Sequence, residues 1–97
     1  MPCAITKDLA LSEVIFLKPT IYQNTEGQNE YAIAAMEMIL GVEGDQIGYV
    51  SREYLPFRGL YENKLVQITK FYSNSSNEYE KLLSKSRKGI ALCKVIS

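Results

Sequence analysis

The sequence contains no histidine, and this absence weighs against an enzyme. Histidine is the commonest general base and metal ligand in proteins, and a cysteine nucleophile usually needs one as its partner. The glycine-containing stretch 41–48 has neither the spacing of a phosphate-binding loop nor a helix after it. The sequence therefore predicts a protein without catalytic activity and without a cofactor.

One pattern keeps an enzymatic alternative open. Asp45 is followed by Glu62-Asn63-Lys64, which resembles the Asp…Glu-x-Lys arrangement of metal-dependent nucleases. There, two carboxylates hold Mg²⁺ and the lysine polarises the scissile phosphate. The pattern is common in chains of this size, and the other interpretation is an ordinary turn aspartate and a lysine at the start of a strand.

Long apolar runs are also missing. No stretch of about 18 apolar residues is present, so no membrane span is expected. Acidic residues near the N-terminus interrupt the apolar segment that a signal peptide would need. Cys3 and Cys93 lack metal-site spacing and are expected to be reduced thiols. These features predict one cytoplasmic domain over residues 1–97, with 46% hydrophobic residues for a small core.

The chain has no net charge, yet its two halves are oppositely charged. Residues 1–50 carry two basic and seven acidic side chains, a net charge of −5, whereas residues 51–97 carry nine basic and four acidic ones, a net charge of +5. The asymmetry indicates an anionic partner for one face. The alternative is that the two halves interleave in the fold and cancel.

Short apolar segments separated by turn residues predict the secondary structure. Pro19 divides the β-rich segment 12–22 into two short strands or makes it an edge strand. Residues 31–40 are ambiguous, because alanine, methionine and glutamate favour a helix whereas the isoleucines favour a strand. The other predictions are a turn over 41–45, strands over 46–50, 64–72 and 90–97, a broken helical turn over 51–63 and an amphipathic helix over 78–88 after a capping Asn77. The fold class expected is mainly β: a small OB/SH3-like barrel of about six short strands with one or two helices.

Two clusters of basic residues are candidate binding features. Lys81, Lys85 and Lys88 would form one stripe on the predicted helix and could follow phosphates, although a solvated helix face is the plainer interpretation. The stretch 49–58 interleaves rings and guanidinium groups, as surfaces for single-stranded nucleic acids do. Its candidate residues are Tyr49, Arg52, Tyr54 and Arg58. The alternative is that Tyr54 and Phe57 fill the core and the arginines are solvated.

Two sequence blocks resemble the signature of the HIRAN domain family. The first is EGQNEYAIAAMEM, over residues 26–38, which is similar to the family pattern E-P-x-N-x-Y-D-x-N-A-I-x-V. The second is GDQIGYVSRE, over residues 44–53, which is similar to G-x-x-[IV]-G-[YH]-[IVL]-x-[KR]-E. The resemblance covers residues 26–72 well, the remainder in outline, and residues 12–22 poorly.

HIRAN domains are small β-barrels that engage DNA, with free single-stranded 3′ ends as their characterised ligand. The resemblance implies that Tyr31 and Tyr49 offer rings or hydroxyl groups to terminal bases and that Arg52 contacts a phosphate. It also implies that residues 30–34 form a loop or single turn and 35–40 a strand. The partners expected are single-stranded DNA or DNA ends, with a helicase, nuclease or host protein as further candidates.

Ala32 and Ala34 depart from the family pattern, which has aspartate and asparagine at these positions. Alanine cannot accept a hydrogen bond from a sugar hydroxyl, so these positions provide no acceptor for a 3′-hydroxyl. Two functions are consistent with the sequence: a non-catalytic module that binds single-stranded DNA, and a protein-interaction module, such as a phage or mobile-element adaptor or inhibitor, that keeps the barrel but not the recognition of DNA ends.

Overall fold

The computed structural model describes residues 1–7, 9–73 and 89–97. In that part of the chain, six strands and one 3₁₀ helix, η1, follow one another in the order β1 (Pro2–Ile5), β2 (Val14–Gln23), β3 (Asn29–Ile39), β4 (Val42–Val50), η1 (Arg52–Leu60), β5 (Lys64–Ser73) and β6 (Gly89–Val95). The amphipathic helix predicted over 78–88, with its capping Asn77 and its stripe of lysines, lies outside the described residues.

The strands form a closed antiparallel barrel in the order β1-β4-β3-β2-β5-β6, with β6 pairing with β1 to complete the ring. Strands β2, β3 and β4 are joined as consecutive hairpins, and β5 returns across η1 to lie beside β2, which is a Greek-key arrangement. The prediction of a small β-rich barrel is confirmed, although β2 and β3 are long strands of 10 and 11 residues.

The strands of the two oppositely charged halves occupy separate parts of the described barrel wall. Strands β1 to β4, from the acidic half, occupy four adjacent places, and β5 and β6, from the basic half, fill the other two. The halves also meet, because Arg52 of the basic half forms an ion pair with Glu30 of the acidic half.

Strand β3 decides between the helix and the strand that the sequence left open for residues 31–40, in favour of the strand. The loop or single turn expected for 30–34 is wrong, because the strand runs from Asn29 to Ile39. The strand predicted for 35–40 is confirmed, apart from Leu40 in the following turn. Tyr31, Ile33 and Ala35 alternate toward the core, and pairing with both β2 and β4 overrides the helix propensity of the alanines.

Strand β2 is a single strand despite Pro19. Residues 14–17 pair with β5, whereas residues 15–23 pair with β3. The Leu17 carbonyl oxygen accepts a hydrogen bond from the Asn63 amide on the β5 side, so the backbone of Pro19, two residues later, faces the same side beyond the paired region. No ladder partner lies there to require the missing amide hydrogen, which confirms the edge prediction for this half of β2.

The core is filled by the inward side chains of all six strands, and η1 closes one end of the barrel. Cys3 and Cys93 are free thiols buried within this core, as expected. The 3₁₀ helix is interrupted at Phe57, next to Pro56, as the predicted broken turn requires.

Gly48 lets β1 approach β4, since a Cβ atom there would lie 1.9 Å from the Ala4 carbonyl oxygen. Strand β1 was not predicted from the sequence.

Candidate functional site

A polar concavity lies on the outer face of β2, β3 and β4. Tyr22 pairs in register with Glu30, and Tyr49 pairs with Ala34, so these side chains share the face opposite the core. Arg52, the first residue of η1, approaches from the end of β4. We call this feature the tyrosine groove; it measures about 730 Å³, and the β2–β3 loop, residues 24–28, forms its far wall.

Two buried alanines lie on the same face of β3 as Glu30. Ala32 and Ala34 face outward from β3 and do not belong to the core, yet they are only 6% and 1% exposed. The rings of Tyr22 and Tyr49 lie on either side of this strand with their centroids 5.7 Å apart and their planes tilted by 48°. Because their register positions are two strands and four residues apart, the rings meet only by leaning across β3 above the alanines. A larger residue at 32 or 34 would separate them.

Glu30 organises the polar side of the groove. Its carboxylate accepts a hydrogen bond from the Tyr22 hydroxyl at 2.7 Å and lies 3.5 Å from the Arg52 guanidinium. The hydrogen bond to Glu30, together with desolvation, raises the pKa of Tyr22 above its ordinary value. The Arg52 side chain remains 80% exposed, so its pairing with Glu30 is loose and a phosphate could displace it.

A second cluster lies where η1 packs against the end of the barrel. Its members are Tyr31, Tyr54, Arg58, Tyr61 and Glu62. The Tyr31 hydroxyl donates a hydrogen bond to Glu62, and the Arg58 guanidinium lies 5.6 Å from the centre of the Tyr31 ring. Burial and this hydrogen bond raise the pKa of Tyr31 to about 12.

The five residues proposed from the sequence therefore separate into two groups. Tyr49 and Arg52 belong to the tyrosine groove, whereas Tyr31, Tyr54 and Arg58 belong to the second cluster, on the other side of β3. Tyr31 faces the core side of the strand and Tyr49 the outer side. The five residues do not converge on one surface.

Tyr54 matches the alternative interpretation in which it contributes to packing. Its ring meets Tyr61 edge-on at 6.0 Å, and both rings contact the hydrophobic core. Phe57 does not match that interpretation, because its side chain is 58% exposed. Arg58 is exposed, as the alternative interpretation has it, while its guanidinium lies within cation–π distance of the Tyr31 ring.

Sequence reasoning missed Tyr22 and Glu30, which complete the groove. The available signal was the period of two along β2, which places Lys18, Thr20 and Tyr22 on one face. The pairing of β2 with β3, which brings Tyr22 to Glu30 and toward Tyr49, had no counterpart in the resemblance, because residues 12–22 match the family poorly.

The described residues contain no group of three or more histidine, cysteine, aspartate or glutamate side chains placed to hold a metal ion. No helix within 1–7, 9–73 and 89–97 is both long and apolar enough to cross a membrane. Comparison of the chain with protein-family models, with curated proteins and with solved structures finds no match.

Proposed function

We propose that the protein is a HIRAN-like module that binds single-stranded DNA in the tyrosine groove without catalysing a reaction. The observation that carries the proposal is the pair of tyrosine rings held side by side on an outer sheet face next to an exposed guanidinium. Unpaired bases stack on such rings, and the guanidinium contacts the backbone phosphate.

The groove would bind through stacking more than through charge. Arg52 is its only cation among the described lining residues, and Glu26 and Glu30 also line it. When a protein neutralises one phosphate of a single strand, a plot of log K for binding against the logarithm of the salt concentration has a slope of about −0.7. We therefore expect a shallow salt dependence, in contrast to the steep one that the basic second half of the sequence indicates.

Glu30 provides an acceptor that Ala32 and Ala34 lack. It lies on the same outer face of β3, two residues before Ala32, and its carboxylate opens onto the groove. A carboxylate at this place accepts hydrogen bonds from amino groups of bases or from sugar hydroxyls. Recognition of a terminal nucleotide would then use Glu30 in place of the aspartate of the family pattern.

The test is fluorescence anisotropy with a labelled thymidine oligonucleotide over a series of salt concentrations. Tyr49→Ala removes one ring, so the affinity should fall by about tenfold or more, since stacking contributes roughly 1–3 kcal/mol per base. Arg52→Ala should weaken binding and reduce the salt slope by about 0.7.

Lys94→Ala is the matched control for Arg52→Ala. Lys94 is exposed on β6, the strand opposite β3 in the six-membered ring, and its removal also deletes one positive charge. The affinity of Lys94→Ala for the thymidine oligonucleotide should equal that of the unmodified protein. Equal losses in Arg52→Ala and Lys94→Ala, or no binding at low salt, would reject the proposal.

A protein-interaction module is the second candidate function. The acidic residues of the groove and the segregation of β1 to β4 as an acidic wall favour it, because both oppose a polyanion. A partner protein that binds equally well before and after nuclease treatment would support this function, and loss of the partner on nuclease treatment would count against it.

A further inference from the structure

The hairpin formed by β3 and β4 extends beyond the rest of the barrel wall. Pairing of β3 with β2 ends at Glu37, and contact of β4 with β1 begins at Ile47. Between these points the two strands pair with each other, through Met38 with Glu43 and Ile39 with Val42. The end of this hairpin, Ile39 to Val42, is the hairpin tip.

The hairpin tip exposes three large apolar side chains in a row. Leu40 is 98% exposed, and Ile39 and Val42, which pair across the two strands, are 53% and 67% exposed. Single exposed apolar residues are ordinary in soluble proteins, but a contiguous group on a projecting element is typical of an interaction site.

Both the backbone conformation and the solvent exposure of position 40 disfavour a leucine there. The two turn residues, Leu40 and Gly41, both have positive φ angles, 51° and 79°. A two-residue hairpin turn with this geometry favours asparagine followed by glycine, because a Cβ atom with a γ-branched chain is strained in the left-handed region. Asparagine at position 40 would suit both the turn and the solvent, so folding alone does not explain a leucine there.

A groove of about 500 Å³ adjoins the hairpin tip, and Lys7, Leu9 and residues 13–15 line its other side. Leu9, Val14, Ile39 and Leu40 give this groove an apolar lining, and Glu13 and Glu37 line it as well. We call it the tip groove.

The charges around the tip groove are mostly acidic. Lys7 and Glu37, which both line the groove, form an ion pair, and Glu13 also lines it. Asp45 on β4 lies close enough to Lys7 to act on it electrostatically, and it adds further negative charge. An apolar channel with an acidic rim complements a segment that carries apolar side chains on one face and cations beside them, and it repels anionic lipid.

We propose that the hairpin tip and the tip groove together bind a basic amphipathic segment of a partner protein. Leu40 and Ile39 contact the apolar face of that segment, and Glu13, Glu37 and Asp45 lie opposite its cations. This surface specifies where the protein-interaction function would reside, and it does not depend on whether the tyrosine groove binds DNA.

The probe is a synthetic amphipathic helix of leucine and lysine, compared with the same pattern built from leucine and glutamate. Isothermal titration calorimetry should detect binding of the lysine peptide alone. Leu40→Asn should weaken that binding by about tenfold, the factor expected for removing one buried leucine contact. The same substitution should raise Tm by roughly 4 °C, since it relieves the strained turn. A variant that is more stable and yet binds the peptide more weakly has lost the contact itself, because a misfolded variant would be less stable.

Leu60→Asn is the matched control, because Leu60 is 63% exposed on η1, away from the hairpin. It should bind the lysine peptide as the unmodified protein does. Leu40→Asn should also leave binding of the thymidine oligonucleotide unchanged, so a failure of either proposal is recognised separately. Equal binding of both peptides, or unchanged binding by Leu40→Asn, would overturn the inference. If the unmodified protein sediments with phosphatidylcholine–phosphatidylserine vesicles and Leu40→Asn does not, the hairpin tip binds a lipid surface, and the inference is overturned.

Discussion

The substitution Gly48→Ala should strongly destabilise the barrel. A Cβ atom at this position would lie 1.9 Å from the Ala4 carbonyl oxygen and 3.1 Å from the Ile5 Cα atom, and both of these are backbone atoms. Strand β1 would have to move away from β4 by about 1 Å to reach a tolerable contact. A flexible side chain could make room for a methyl group, but β1 is also paired with β6 and buries Ile5 completely.

The expected cost follows from two contributions. Overpacking a well-packed site costs about 1–3 kcal/mol, and each weakened hydrogen bond between β1 and β4 adds about 1 kcal/mol. The total of about 3–5 kcal/mol is a large share of the 5–15 kcal/mol that stabilises a typical domain. At roughly 4–8 °C for each kcal/mol, Tm should fall by at least about 12 °C.

Urea unfolding followed by far-ultraviolet circular dichroism measures this change directly. Gly59→Ala is the control, because an added Cβ atom at Gly59 meets nothing within 4 Å. Its free energy of unfolding should stay within about 0.5 kcal/mol of that of the unmodified protein. If Gly48→Ala lost less than about 1 kcal/mol, β1 could not be packed against β4 as described.

Three further results are expected from the same structure. Because burial and the hydrogen bond to Glu62 raise the pKa of Tyr31 to about 12, the folded state holds this proton when the unfolded chain releases it near pH 10. The free energy of unfolding should therefore fall between about pH 10 and 12. Tyr31→Phe should lessen that fall, and it should remove one late-ionising phenol from the absorbance titration of the folded protein. An unchanged titration would contradict the assignment. Glu30→Gln removes a negative charge beside Arg52 but keeps an oxygen that can accept a hydrogen bond from the nucleotide, so affinity for the thymidine oligonucleotide should rise by about threefold or more, and weaker binding would contradict this expectation. The thiol of Cys3 is fully buried and its pKa is raised by a hydrogen bond with the neighbouring thiol and by burial, so an aromatic disulfide reagent should modify it only after unfolding.

Local patterns predicted the strands whose sequence and environment agree. Residues 64–72 are rich in β-branched and aromatic side chains, and β5 occupies almost the same range. In β3 the two signals disagree: Ala32, Ala34 and Ala35 raise helix propensity, but β2 and β4 pair with this segment from either side and all three alanines are buried. Helix propensity scales describe an isolated segment and contain no term for such a neighbour.

The elements that sequence reasoning missed are those defined by distant partners. Strand β1 has only four residues, and it is held by pairing with residues 48–50 and 89–92. Tyr22 and Tyr49 are brought together by β3, which lies between them in the sheet. The second signature block was informative for a related reason: its glycine at 48 permits the approach of β1, so this residue of the block serves the fold, while Tyr49 beside it lies on the outer face.

The length of β3 has a consequence for how the molecule could be used. This strand carries Glu30 of the tyrosine groove near its beginning and leads into the hairpin tip at its end. Leu40 follows Ala32 by eight residues, so at about 3.3 Å per residue these two positions are at most about 26 Å apart along the chain. Two ligands could therefore occupy the molecule together without touching, and a chain of this size would act as a spacer that fixes the distance between a DNA strand and a protein.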